Sequence, residues 1–214
     1  MKKDPEAQAM DTKVQCELVS WQRFYNLTRR VVYLIHDSGF RPDIIIAIGR
    51  GGYMPARVIA DFLQIMNLTS FKIEHYIGAQ KTPKAVIRYP LNKDIDCRTV
   101  LLVDDVCDSG DTFAVARQHL MEHLYPEEIR TAVMHYKKVS SYEPDYYARK
   151  IVKWRWIIYP WAVVEDVSGF LQQMGSLPVT VEETQAIIYQ NYGIRVPQKT
   201  LRDILILNET EAVK

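Results

Sequence analysis

Val100-Leu101-Leu102-Val103-Asp104-Asp105-Val106-Cys107-Asp108-Ser109-Gly110-Asp111-Thr112, read as VLLVDDVCDSGDT, passes from a continuous apolar run into four carboxylates within eight residues. A short all-apolar run of this kind predicts a strand buried on both faces, as in a parallel sheet covered by helices. The residues that follow, TFAVARQHLMEHLY, predict a helix. Acids crowded at a strand end repel one another, so the turn calls for a cation or a ligand rich in hydroxyls. Helix capping, a structural cation or a plain polar turn are the bland alternatives. Ser109, Gly110 and Thr112 weigh against them, because small and hydroxyl-bearing residues at a helix start offer N–H groups to a phosphate. The stretch thus combines a phosphate nest at 108–112 with a carboxylate pair at 104–105, a combination suited to a phosphorylated sugar.

Outward from this stretch the same alternation repeats. Ser20 is a plausible N-cap for a helix carrying Trp21, Phe24, Val31, Val32 and Ile35, which Gly39 ends. RPDIIIAIGRGG then reads as a buried strand stopping at glycines, and YMPARVIADFLQIM as a helix. FKIEHYI, KAVIRYP and EIRTAVMHYKK read as further strands. Strands alternating with helices predict an α/β fold with a mostly parallel, twisted sheet flanked by helices. In such folds ligands bind at the carboxyl ends of strands, where 49–52 and 104–112 both fall. Beyond residue 140 an aromatic segment, SYEPDYYARKIVKWRWIIYPWAVVEDVSGF, breaks the pattern, with YEPDYYA expected to pack a hood over the site. In the last stretch Thr180 and Glu183 match a capping box, Gly193 ends that helix, and Pro197 opens another.

The 214 residues, 48% apolar and 25% charged, suit one α/β domain plus additions and carry no signature of disorder. A net charge of +1 gives no general attraction to nucleic acid or to a membrane surface. Three cysteines without C-x-x-C spacing suggest neither a disulfide framework nor a zinc site, and fit a reducing cytoplasm. The polar start MKKDPEAQAMDTK is not a signal peptide, and no apolar run has the length of a membrane span. Neither the Walker lysine nor the third glycine of a dinucleotide fingerprint is present.

VLLVDDVCDSGDT resembles the phosphoribosyl-pyrophosphate (PRPP) motif of type I phosphoribosyltransferases: an apolar strand, two acids, two variable residues, then Asp, Ser or Thr, Gly, any residue and Thr. IAIGRGGYMPA resembles that family's pyrophosphate loop. The resemblance covers about residues 15–165 and is greatest to the purine salvage branch, such as xanthine-guanine and hypoxanthine-guanine phosphoribosyltransferases. It implies a phosphoribosyltransferase domain with its hood at 15–170, between the polar start, read as a flexible tail at 1–14, and the last stretch, read as a helical C-terminal extension at 171–214.

The resemblance also implies roles. Asp104 and Asp105 would bind the ribose hydroxyls and help orient Mg²⁺, partly through those hydroxyls or water. Asp108, Ser109, Gly110, Asp111 and Thr112 would hold the 5′-phosphate, and Arg50, Gly51 and Gly52 the pyrophosphate. Asp108 matches the acid/base position near purine N7. Lys137 matches the lysine that contacts a 6-oxo group, Trp156 the stacking aromatic, and Ile157 a backbone contact to the base. Tyr76 matches part of a mobile loop, although His75 stands where that branch has serine. Ala162 follows Pro160-Trp161 where relatives often carry an acid, so the choice among guanine, xanthine and hypoxanthine stays open; adenine is disfavoured. The implied activity is transfer of the phosphoribosyl group to a 6-oxopurine, with release of pyrophosphate and a nucleoside monophosphate, in a homodimer or larger homo-oligomer.

A PRPP- or nucleotide-sensing regulator that binds nucleic acid is the competing reading, because the two C-terminal helices could form a helix-turn-helix. Charge argues against it: over 180–214 Arg195, Lys199, Arg202 and Lys214 face Glu182, Glu183, Asp203, Glu209 and Glu211, whereas nucleic-acid readers carry a basic face. His119 and His123 stand four apart on a helix, but without a third ligand they read as surface or packing residues. Cys107 reads as a small buried side chain.

Overall fold

The apolar run after Pro42 and Asp43 forms β2 (Ile44–Gly49), buried at every position. Both faces of this strand are therefore covered, as its lack of alternation predicts. The computed structural model describes residues 14–77, 83–91, 97–174 and 180–212, without the side chains of 75–77, 83–84 and 209–212. The chain packs as two compact units, one of residues 21–154 and the other joining residues up to 20 with those from 155 onward.

In the larger unit β2 lies between β3 (Leu68–Ile77) and β5 (Thr99–Val103), parallel to both. β4 (Pro83–Tyr89) runs antiparallel to β3, while β5 pairs in parallel with β7 (Glu128–Lys137). Two further strands, β6 (Val106–Cys107) and β8 (Tyr146–Ile151), also pair with β7 in parallel. Ala132 is matched both to Val103 and to Tyr146, so β5 and then β6 follow one edge of β7 and β8 takes the other. The mostly parallel sheet read from the sequence is thus present.

Helices α1 (Trp21–Asp37), α2 (Tyr53–Leu63) and α3 (Asp111–His123) belong to this unit. α1 buries Phe24, Thr28, Val31, Val32 and Ile35 along one stripe. Mid-helix Thr28 is tolerated there because its hydroxyl donates to the Phe24 carbonyl at 3.0 Å. Gly39 ends the segment at φ +74°. Ile45, Ile46, Leu101 and Leu102 are shut off from solvent completely. Each such side chain contributes about 1.5–3 kcal/mol of burial, which keeps the loops at the strand ends on a stiff base.

The smaller unit pairs β1 (Cys16–Leu18) in parallel with β9 (Trp156–Ile158) and adds α4 (Val163–Gln173), α5 (Val181–Tyr192) and α6 (Gln198–Ala212). The expected capping box is formed: Glu183 N–H donates to Thr180 Oγ1, and Thr180 N–H donates to Glu183 Oε2, both at 3.2 Å. Gly193 closes α5 at φ +72°. Ile158, Val167 and Leu171 share a core with Ile188, Leu201 and Ile204. The residues expected as a helical extension therefore complete a hydrophobic core that begins before residue 170.

One expectation is corrected. YEPDYYA does not pack a hood: its second half enters the central sheet as β8. Asp145 Oδ2 accepts from both the N–H and the hydroxyl of Thr131, each at 2.8 Å, and this clamps the start of β8 onto β7. Tyr146 and Ala148 then point inward at alternate positions.

Candidate active site

Three loops converge because their strands are parallel neighbours, β2 beside β5 beside β7, so all three carboxyl ends lie on one edge of the sheet. The loop after β2 carries Arg50, Gly51 and Gly52. A Cβ on Gly51 would stand 2.6 Å from the Asp105 carboxyl carbon and from both its oxygens, and one on Gly52 would stand 2.3 Å from the Val103 carbonyl oxygen. Only glycine lets this backbone lie across the end of β5. The Gly49–Arg50 peptide is cis. Arg50 is exposed beside the loop.

Asp104 and Asp105 occupy the interruption between β5 and β6. Their backbone is tied to β7: Asp104 N–H donates to Ala132 O at 3.1 Å, and Asp105 O accepts from Met134 N–H at 3.0 Å. Removal from water, and then the neighbouring Asp105 charge, push the Asp104 carboxyl well above the usual carboxylate range, against a backbone hydrogen bond that favours the anion. Two adjacent carboxylates under such repulsion form a hard oxygen donor pair that a divalent cation suits. Among the described residues no cluster of three or more His, Cys, Asp or Glu could hold a metal. A cation here would take its other oxygens from substrate and water, the habit of Mg²⁺.

Next along the chain Gly110 sits at φ +96° as the N-cap of α3, a conformation suited to glycine. A side chain there would also strike Tyr142, whose Cβ lies 2.6 Å from the position of a Cβ on Gly110. Ser109 Oγ donates to Asp111 Oδ2 at 2.9 Å, and Asp111 N–H reaches back to Ser109 Oγ at 3.4 Å. Ser141 holds Ser109 from the far side, its N–H and hydroxyl both donating to the Ser109 carbonyl at 2.9 Å. The nest at 108–112 is therefore a braced turn opening a helix, with the positive end of the helix dipole behind it.

Lys137 ends β7 and is only 3% exposed along its side chain. Its Nζ lies 2.5 Å from Asp108 Oδ2, forming an ion pair whose acid is 42% exposed. Lys138, the next residue, is exposed, as read from the sequence. Trp154 closes the group: its indole N–H donates to Asp108 Oδ1 at 3.2 Å, and its ring lies beneath Lys137 Nζ, 4.4 Å from the centroid. Sequence reading missed Trp154. Its signal was there, a large aromatic flanked by Lys153 and Arg155 instead of core residues.

The larger unit therefore holds Arg50, Gly51, Gly52, Asp104, Asp105, Asp108 to Thr112 and Lys137 on one set of strand-end loops. The backbone of Tyr76 lies in β3, and its side chain falls outside the described residues. Trp156 and Ile157 belong to β9 in the smaller unit. There Trp156 is 41% exposed and donates from Nε1 to Asp166 Oδ1 at 3.1 Å, while Ile157 is buried. Burial pushes the Asp166 carboxyl up to about 6, against the Trp156 hydrogen bond.

Outside this constellation His119 is buried and His123 exposed on α3. The His119 and His123 rings lie 4.1 Å apart, and His123 Nδ1 contacts the His119 carbonyl oxygen at 2.9 Å. Cys107 is buried, with its thiol pushed up to about 11 mainly by desolvation.

The phosphoribosyl transferase domain model matches residues 15–166. Xanthine-guanine phosphoribosyltransferase of Cereibacter sphaeroides is 28% identical over 149 residues, covering 67% of this chain and 84% of that protein. The enzyme of the same name from Desulfotalea psychrophila is 29% identical over 143 residues, with the same two shares covered. Among solved structures, purine phosphoribosyltransferase from Pyrococcus horikoshii aligns with a TM-score of 0.60 at 29% identity, over 71% of this chain and 95% of that one.

Proposed function

The chain belongs to the phosphoribosyl transferase domain family, and from that premise we propose that it transfers the phosphoribosyl group of PRPP to a 6-oxopurine in purine salvage. Two relatives are named xanthine-guanine phosphoribosyltransferases, which supports purine transfer. The observation that carries the choice of base is the Lys137–Asp108 pair, an ammonium and a carboxylate 2.5 Å apart beside the phosphate nest. A 6-oxopurine protonated at N7 presents an acceptor, O6, next to a donor, N7–H. Lys137 donates to O6 and Asp108 accepts from N7. Adenine would put its amino donor against the ammonium, leaving two donors face to face.

The other groups divide the rest of the substrate between them. Backbone and hydroxyls of 109–112 hold the 5′-phosphate, Asp104 and Asp105 accept from the ribose hydroxyls, and the loop of Arg50, Gly51 and Gly52 meets the pyrophosphate. Purine N9 attacks C1 of the ribose, the bond from C1 to the pyrophosphate oxygen breaks, and pyrophosphate leaves with the electron pair. The N7 proton passes to Asp108. Positive charge developing on the ribose ring faces Asp104 and Asp105. Mg²⁺ held at those carboxylates would neutralise charge on the departing pyrophosphate.

Purified protein with PRPP, Mg²⁺ and each of guanine, xanthine, hypoxanthine and adenine is the direct test, followed by pyrophosphate and nucleotide formation. The expected result is a monophosphate from at least one 6-oxopurine and none from adenine; no product with any base overturns the proposal. Asp108→Asn should lower kcat by about 10²–10⁴-fold, the usual worth of a proton acceptor, with the KM for PRPP little changed. An unchanged kcat would remove Asp108 from proton transfer.

A further inference from the structure

Trp154 is 44% exposed, so filling a core does not explain it. It comes from the segment after β8, whereas Asp108 follows β6 and Lys137 ends β7, and these three separately positioned groups meet in one closed contact. Each carboxylate oxygen of Asp108 has its own donor, Lys137 Nζ on Oδ2 and the Trp154 indole N–H on Oδ1. Lys137 lies between the carboxylate and the indole face, which leaves it 2% exposed.

We propose that Trp154 is a positioning residue for the purine: its ring caps the Lys137 ammonium and its N–H fixes the Asp108 carboxylate, so both present a preset edge to the base. This rests on the 6-oxopurine reading above. The cap has a specific use in that reaction. When Asp108 accepts the N7 proton its charge is neutralised, and its electrostatic hold on Lys137 falls. The attraction of the ammonium to the indole face does not depend on that charge, so Lys137 stays on O6 through the proton transfer. The N–H has a second use, because a donor on Oδ1 keeps the plane of the carboxylate from rotating.

Two substitutions separate the two uses. Trp154→Phe keeps a π face and removes the N–H; Trp154→Leu removes both. Amine acetylation of Lys137, mapped by mass spectrometry, reads the cap without reference to turnover, and steady-state kinetics with hypoxanthine and guanine read the base. In the leucine variant Lys137 should be acetylated about tenfold faster, and the KM for base should rise about tenfold, the size of a cation–π contact between the exposed and the desolvated limits. The KM for PRPP should stay within about twofold, since the groups that Trp154 holds, the Lys137 ammonium and the Asp108 carboxylate, are those assigned to the base. In the phenylalanine variant Lys137 should keep its protection, while kcat falls about tenfold with the KM for base little changed, because the carboxylate is no longer held in one plane. The cap is overturned if the leucine variant matches the parent in both labelling rate and KM for base. A kcat of Trp154→Phe equal to the parent's overturns the role of the N–H, and this arm stands if the leucine variant fails to fold. A parent protein that makes no nucleotide refutes the proposed function instead, and the labelling comparison still decides the cap.

Discussion

Gly51→Ala is the substitution whose outcome most directly tests how the two loops share the site. The added Cβ would lie 2.6 Å from three atoms of the Asp105 carboxyl group, about 1 Å inside the ordinary contact distance of roughly 3.5 Å. The obstacle is the end of a short side chain, so Asp105 can leave its rotamer at a cost of about 0.5–1.5 kcal/mol. Stability therefore falls modestly, by about 2–5 °C in Tm. Function falls further: with Asp105 in the proposed role of accepting from ribose, its displacement forfeits a charge-assisted hydrogen bond of about 1.5–3 kcal/mol, which is roughly a 10- to 150-fold rise in the KM for PRPP. Gly52→Ala supplies the contrast. Its Cβ would meet backbone, the Val103 oxygen at 2.3 Å and Ile48 N and O at 2.8 Å, and backbone cannot rotate away. That variant should lose about 3 kcal/mol or more of stability and much of its soluble yield. Steady-state kinetics with PRPP varied, alongside thermal melts of both variants, decide the matter. A Gly51→Ala protein with parental KM for PRPP would refute the reasoning, because the glycine would then not be holding Asp105 in a working position.

Asp166 gives a pH prediction. Its folded carboxyl titrates near 6, above an ordinary 3.8, so between these values the folded state holds more protons than the unfolded one and stability falls as pH rises through the window. Asp166→Asn keeps an acceptor for Trp156 Nε1 and removes the fall; at pH 8 it should be more stable by about 1–2 kcal/mol after discounting for solvent screening, and near pH 4 no different. Urea denaturation at both pH values checks this, and parallel pH slopes for the two proteins would count against it. Cys107 and Cys16, with thiols pushed up to about 11 by burial, should resist iodoacetamide at pH 7.5 in the native protein and react on unfolding, as peptide mapping would reveal; rapid native labelling contradicts the burial argument. Thr180→Ala removes the side-chain half of the capping box and should cost about 1 kcal/mol, a drop of about 2–4 °C in Tm; an unchanged melt would mean that α5 does not depend on its cap.

The share of this protein that its sequence determines is the share built from neighbours in the chain. β5, the two acids and the nest opening α3 lie within residues 99–112, where burial periodicity and a glycine able to take positive φ are local properties. The same holds for the capping box of α5 and for the glycine loop after β2, which is why their positions could be read directly. YEPDYYA was misread because its alternation is short and its place in the sheet depends on Asp145 meeting Thr131, a residue of β7 that lies 14 positions earlier. The contact among Lys137, Asp108 and Trp154 depends most on tertiary structure. Lys137 stands 29 residues from Asp108 and Trp154 stands 46 from it, and no spacing rule reaches that far. Lys137 could be nominated only through its match to the family's lysine, because a lysine at a strand end is by itself most simply a solvated one. Only the parallel stacking of β5, β6, β7 and β8 sets an ammonium, a carboxylate and an indole in contact, because the register between strands, not the order along the chain, decides which strand ends meet.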